Sequence, residues 1–96
     1  MNPDEVIRRT LGSGEENAVP CKLLEELTGL NGRDVKHCIE ELRRGGTVIC
    51  SSNSGYFYPA RRYELESFIV KERRRAVSIM RTLKSSERML QTWKGN

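Results

Sequence analysis

The chain has few of the residues from which compact active sites and membrane segments are built. It contains one histidine, one tryptophan and three cysteines in 96 residues, and no Cys-x-x-Cys pair. Zinc sites need closely spaced cysteines or histidines, so we expect neither a metal nor a cofactor. No apolar run approaches the roughly 20 residues of a membrane span, and the start at Asp4-Glu5 does not resemble a signal peptide. We therefore expect a cytoplasmic protein.

Catalytic patterns are also missing from the sequence. It contains no glycine-rich phosphate loop and no nucleophile with a recognisable base, and His37 alone does not indicate general-base chemistry. The length suits one domain with a modest core. The sequence therefore favours a binding protein over an enzyme.

Charge is unevenly distributed along the chain. Residues 1–60 contain seven Lys or Arg against nine Asp or Glu, and residues 61–96 contain ten against four, which gives −2 and +6. The net charge of +4 therefore comes from the C-terminal third. Because phosphate attraction supplies most non-specific affinity for nucleic acid, we expect that third to contribute it.

The middle of the chain has the sequence outline of a winged helix-turn-helix. Two short helices are predicted on either side of a tight turn, and Gly45-Gly46 precedes a small β-hairpin. The pieces are Pro20–Thr28, the turn Gly29–Gly32, Arg33–Arg44, and strands at Thr47–Ser51 and Tyr56–Tyr58. We expect a mainly α fold with a small β-hairpin, in which residues 1–62 form the winged helix-turn-helix.

Local signals predict where several elements begin and end. Asn2 is expected to cap the first helix, Asn31 the second helix of the motif, and Gly29 to end the helix before it. Ala18-Val19 is a candidate for a short first strand. Two apolar stripes are predicted on the motif helices: Leu23, Leu24 and Leu27 on the first, and Val35, Cys38, Ile39 and Leu42 on the second.

Residues 63–96 are predicted to be a helical extension of the same domain. A long helix is expected from Tyr63 to about Leu83, with Ser85–Glu87 starting a further short one. Such a helix exceeds the width of so small a domain, so part of its apolar face is expected to pair two chains. The candidate dimerisation residues are Phe68, Ile69, Ala76, Ile79, Met80 and Leu83. The basic run at residues 71–75 is equally compatible with a solvated helix face and with nucleic acid.

In a helix-turn-helix, the second helix presents its first turns to the DNA major groove. The candidate DNA-binding residues are Asn31, Arg33, Lys36 and His37 on this helix, Ser52, Asn53 and Ser54 at the hairpin tip, and Arg61 and Arg62 beyond it. Arginine suits guanine, and asparagine suits adenine. Taken one at a time, the helix residues fit an ordinary solvated surface with pairs such as Lys36–Glu40 better than a functional site, and only their position in the motif favours DNA contact. Hairpin aromatics such as Tyr56 are more often packing residues than stacking platforms.

The span Gly14–Glu66 resembles small winged-helix proteins of bacterial and phage genomes. The resemblance rests on Glu16–Val19, Leu27–Val35, Ile39–Arg43 with Gly46, and Ile49–Ser51 with Gly55-Tyr56. It implies a DNA-binding accessory protein in transcriptional control or in phage replication and excision, with groove-facing Arg33, Lys36 and His37 and a wing turn at Gly55. Asp34, Glu40 and Glu41 depart from a strongly basic recognition helix.

We therefore expect sequence-specific binding of double-stranded DNA by a possible homodimer, with no membrane and no small-molecule substrate. The alternative is a protein-interaction module in a phage or replication assembly, with the winged helix as scaffold. The acidic first 60 residues favour the alternative, whereas the C-terminal arginines favour DNA.

Overall fold

The computed structural model describes residues 1–95 and is mainly helical, with 65% of the chain in helices. Within those residues there are four α-helices and one two-stranded antiparallel sheet. In chain order the elements are α1 (Pro3–Thr10), a 3₁₀ turn (Glu15–Asn17), α2 (Cys21–Thr28), α3 (Gly32–Arg44), β1 (Cys50–Ser52), β2 (Gly55–Phe57) and α4 (Arg62–Gln91). The predicted mainly helical fold with a small hairpin is confirmed.

The chain divides into two compact units, one from Met1 to Glu66 and one from Ser67 onward. The first unit contains a single apolar core to which α1, α2, α3 and the segment around the hairpin all contribute. Its buried members are Ile7, Leu11, Val19, Leu24, Val35, Ile39, Leu42 and Ile49. In the part of the chain that the structure describes, no helix combines the length and apolar character needed to cross a membrane.

Helix ends in the first unit follow the local sequence signals. The side-chain oxygens of Asn2 and Asn31 accept hydrogen bonds from the backbone N–H of Glu5 and Asp34, at 2.9 and 2.8 Å. Gly29 adopts a left-handed conformation with φ 76° directly after α2. Each of the three predicted caps is confirmed, because capping depends on residues only two or three positions away.

The prediction that Leu23, Leu24 and Leu27 form the buried face of α2 is wrong for two of the three residues. Leu24 is fully buried, whereas Leu23 and Leu27 are 41% and 51% exposed. The inward column of this helix instead contains half-buried Cys21 and Thr28, which lie three and four positions from Leu24. The helix is thus turned toward Cys21, since the core offers room for one large side chain from so short an element.

The hairpin is shorter than predicted, and its first strand begins three residues later. Cys50 pairs with Phe57 and Ser52 with Gly55, so that Asn53-Ser54 alone form the turn and Thr47–Ile49 lie outside β1. Gly55 therefore belongs to β2, which corrects its expected place in the turn. Val19 forms an isolated antiparallel bridge to Tyr56, with backbone hydrogen bonds of 2.8 and 2.9 Å, in place of the two-residue strand expected at Ala18-Val19.

The long C-terminal helix is continuous, and the expected break at Ser85–Glu87 is wrong. Helix α4 runs for 30 residues from Arg62 to Gln91. Within it the Ser86 hydroxyl donates to the Thr82 carbonyl at 2.9 Å. A serine that satisfies its hydroxyl on the preceding turn is accommodated inside a helix, so its presence does not start a new one.

Glu64, in the first turns of α4, is a buried acid that no local sequence signal singles out. Its side chain is 1% exposed, and its carboxylate accepts backbone N–H bonds from Glu15, Ala60 and Arg61 at 2.8, 2.9 and 3.0 Å. It therefore connects the 3₁₀ turn to the beginning of α4. These N–H donors, first that of Glu15, and the nearby Arg61 guanidinium lower the pKa of Glu64 below its ordinary value despite burial.

Candidate nucleic-acid interface

The outward ridge of α3 contains three groups that can meet an anionic partner. Arg33, Lys36 and His37 are exposed because the opposite side of the helix buries Val35, Ile39 and Leu42. Across residues 1–95, none of the three ridge side chains forms a hydrogen bond or ion pair. Their donors are therefore available to a ligand.

The C-terminal half of α3 is more nearly neutral than its arginine count indicates. Arg43 pairs with Glu40 at 3.1 Å, and its Nε also donates to the Ile49 carbonyl at 2.9 Å. Arg44 pairs with Glu41 at 2.5 Å. Positive charge without an intramolecular partner is consequently concentrated in the first two turns of α3, at Arg33 and Lys36.

Acidic groups surround the N-terminus of α3. Asp34 lies in its first turn, and the carboxylate of Glu25 from α2 lies 3.5 Å from the position that a Cβ would occupy at Gly32. The Asn31 side-chain oxygen already accepts the Asp34 N–H. Because bidentate contact with adenine requires both the amide oxygen and the amide nitrogen, this geometry favours a capping role for Asn31 over base recognition.

We expect replacement of Asn31 by alanine to destabilise the first unit by about 1 kcal/mol, because α3 would lose its N-terminal cap. Chemical denaturation followed by circular dichroism measures the change. Asn53→Ala is the matched control, since Asn53 is exposed in the hairpin turn. Equal stability of the two variants would contradict the capping role.

The hairpin tip presents polar groups, although one of them is already used. The Ser52 hydroxyl accepts the Ser54 N–H at 3.1 Å, which stabilises the two-residue turn. Asn53 and Ser54 are exposed, whereas Ser52 is half-buried. Asn53 and Ser54 are therefore the hairpin residues most accessible to a partner.

The start of α2 borders the hairpin. Pro20 and Cys21 line a shallow cavity of about 240 Å³ together with residues 51–56 of the hairpin. Burial and the Glu25 carboxylate raise the pKa of the Cys21 thiol, and the Lys36 ammonium lowers it. Cys21 therefore borders the hairpin, and the charges of Glu25 and Lys36 act on its thiol.

Two predicted phosphate contacts already have acidic partners. The Arg61 guanidinium binds both carboxylate oxygens of Glu16, at 2.9 and 3.0 Å. Arg62 pairs with Glu66 at 2.6 Å. The bidentate pair links the 3₁₀ turn to the start of α4, and a phosphate contact by Arg61, which stays a prediction, would compete with Glu16.

The hairpin aromatics contribute to packing, as the sequence favoured. Tyr56 is half-buried and packs against the core cluster, and Phe57 is buried. The Tyr58 hydroxyl donates to the Arg8 carbonyl at 2.8 Å. Each of these rings is thus engaged within the first unit, so the hairpin residues accessible to a partner are the polar ones of its turn.

Comparison with protein-family models, curated proteins and solved structures finds no match to this chain.

Proposed function

We propose that residues 1–66 form a winged helix-turn-helix that binds double-stranded DNA, with α3 as the recognition helix and the β1–β2 hairpin as the wing. The observation that carries the proposal is the set of three exposed groups without intramolecular partners at Arg33, Lys36 and His37. The order of helices and hairpin and the bridge from Val19 to β2 support the same architecture.

In this proposal the residues have separate tasks. Arg33 contacts a base edge in the major groove, where its planar guanidinium pairs with guanine, while Lys36 neutralises a neighbouring phosphate. Asn53 and Ser54 contact the backbone beside the groove. Asn31 acts indirectly, because it fixes the beginning of α3.

The charge available for binding sets the expected strength. Acidic groups at Glu25 and Asp34 flank α3, so few phosphates are neutralised by the first unit. If binding neutralises about three phosphates, an increase in salt from about 50 to 200 mM weakens it by about 40-fold. Additional contacts from the basic residues of α4 would make the dependence steeper.

A titration with random-sequence duplex DNA at the two salt concentrations, followed by backbone amide NMR, tests the proposal. We expect salt-sensitive shifts centred on residues 31–37 and 52–55. Shifts confined to residues 71–88 would show that α3 is not the recognition element. Complete absence of shifts would overturn the proposal.

Replacement of Arg33 by alanine is expected to reduce discrimination between preferred and random duplexes by about tenfold, because one bidentate base contact is lost. Fluorescence anisotropy with labelled duplexes measures both affinities. Arg9→Ala is the matched control, since Arg9 is an exposed arginine on α1. Unchanged discrimination in the Arg33 variant would contradict its role as the base reader.

A protein-interaction module is the second candidate, and one observation favours it. Leu23 and Leu27 lie one helical turn apart on the exposed side of α2. Paired exposed leucines on a short helix suit an apolar contact with another protein better than a contact with phosphate. This function gains support if the DNA titration gives no shifts.

A further inference from the structure

Helix α4 exposes a series of large apolar side chains beyond the first unit. Ile69, Ile79, Met80 and Leu83 are between 42% and 58% exposed, and Leu90 is 74% exposed. Isolated exposed apolar residues are ordinary on a protein surface, but these recur on one side of a single helix. This pattern therefore indicates an apolar partner about as long as the exposed part of α4.

Ile69, Ile79, Leu83 and Leu90 lie on the seam of a coiled-coil heptad, and Met80 lies directly beside it. The seam positions alternate by three and four residues and are Ile69, Glu72, Ala76, Ile79, Leu83, Ser86 and Leu90. The mean spacing of 3.5 residues is the repeat that lets two helices supercoil while keeping the same face in contact. Arg74, Arg81 and Arg88 follow one another every seven residues on the opposite side, where solvent is expected.

We propose that a second copy of this chain covers this seam, in an antiparallel coiled coil whose two-fold axis passes close to Met80. The proposal does not rest on DNA binding. In this register Ile79 packs against the partner's Leu83, and Ala76 against the partner's Ser86. The small Ala–Ser layers let the two helices approach closely on either side of the axis.

Charge complementarity selects this orientation and register. Beside the seam, Arg73 of each chain faces the partner's Glu87, so the symmetric dimer contains this ion pair twice. Moving the antiparallel register by one heptad in either direction replaces this attraction with a like-charge pair, Glu66 with Glu87 or Arg73 with Lys94. The central register alone pairs opposite charges at these flanking positions.

A parallel dimer is disfavoured by the acid within the seam. It would place Glu72 opposite its own copy, and like charges at a facing core position oppose association. In the antiparallel arrangement Glu72 lies beside the partner's Leu90, and its carboxylate keeps its pair with Arg75, at 3.8 Å in the monomer.

A groove beside the axis suits the same arrangement. It has a volume of about 360 Å³ and is lined by Ala76, Val77 and Met80 with the side chains of Arg81 and Lys84. The small side chain of Ala76 creates the depression. In the dimer the flexible Met80 of each chain lies next to the other, at the edge of this groove that borders the seam.

Sedimentation equilibrium of the full chain without DNA tests the proposal. Reversible dimerisation is expected, and either Arg73→Glu or Glu87→Arg should raise the dimer dissociation constant by about tenfold, since two attractive pairs become repulsive. The double variant Arg73→Glu/Glu87→Arg should restore the original value. Arg74→Glu is the matched control, because it changes the same charge on the outward side.

Two results would overturn the proposal. One is a wild-type chain that remains monomeric at hundreds of micromolar. The other is a dimer whose dissociation constant the double charge reversal fails to restore. That result would indicate parallel pairing, in which Arg73 faces the partner's Phe68 and Glu87 faces the partner's Thr82, so the two charges do not meet. Circular dichroism of each variant confirms that α4 remains helical, so a loss of pairing is not confused with unfolding.

Discussion

Replacement of Gly55 by alanine is expected to lower the free energy of unfolding of the first unit by about 4 kcal/mol. Gly55 has φ 128°, and a Cβ added there would lie 2.3 Å from the Val19 carbonyl oxygen. The obstructing atom is backbone, so the new methyl group must push apart the Val19–Tyr56 bridge that attaches the hairpin to the core. Thermal unfolding should show a decrease in Tm of about 20 °C.

Gly46→Ala separates the steric effect at Gly55 from the conformational one. Gly46 also has a positive φ, of 101°, but a Cβ there would meet nothing within 4 Å. We expect Gly46→Ala to lower the free energy of unfolding by only about 1–2 kcal/mol, which is the penalty of a left-handed backbone for a residue with a side chain. Equal destabilisation by the two substitutions would show that the close approach of Val19 is not what requires Gly55.

The second large effect is expected at Glu64. In Glu64→Gln one carboxylate oxygen becomes an amide nitrogen, which cannot accept the N–H bonds of Glu15, Ala60 or Arg61. At least one N–H group that faces this buried side chain then loses its acceptor, and we expect a decrease in Tm on the order of 10 °C at pH 7. Differential scanning calorimetry measures the change. Glu16→Gln is the matched control, because Glu16 makes its side-chain contact with Arg61 at the surface.

The Glu64 effect should also depend on pH, with a definite sign. Because folding lowers the pKa of Glu64, its contribution to stability is complete above the unfolded value of about 4.3 and disappears as the pH falls through the lower folded pKa. The difference in Tm between wild type and Glu64→Gln should therefore be constant from pH 7 to about 5 and shrink below about 4. A difference that grows in acid would contradict the buried-carboxylate role.

Local chemistry explains which parts of the fold were predictable. Asn2, Gly29 and Asn31 were identified as caps because each acts on backbone groups within three positions in the chain. The buried stripe of α3 was largely correct, since Val35, Ile39 and Leu42 repeat over three turns of one helix. A long helix with a repeated pattern averages over local irregularities, so its inward side follows from the sequence.

The orientation of short helices and the boundaries between helices were less predictable. The eight residues of α2 contain leucines on more than one side, and the sequence does not reveal which side meets Ile7, Val35 and Ile39. Ser85-Ser86 resembles a helix start, but the hydrogen bonding of an established helix overrides that preference. In both cases packing and helix continuity outweigh local propensity.

The candidate interface also contains features that the sequence predicts and features that it does not. Arg33, Lys36 and His37 were identified from their place in the motif, and their exposure follows from the stripe of α3. Arg61 looked equally available in the sequence, yet it pairs with Glu16, which lies 45 positions earlier. A bidentate pair between distant residues has no local signal, so only the folded chain reveals which arginines are already engaged.

The helix caps, the order of helices and hairpin, the charge asymmetry and the heptad spacing of α4 follow from the amino-acid sequence, because each depends on neighbours along the chain. The tertiary structure alone decided that Gly55 must admit the Val19 backbone and that Glu64 receives N–H bonds from a turn 49 residues earlier. It also decided that Cys21 borders the hairpin, with which it lines one cavity. Those relations arise when packing brings distant segments within a few ångströms, and neither propensity nor spacing encodes which distant groups will meet.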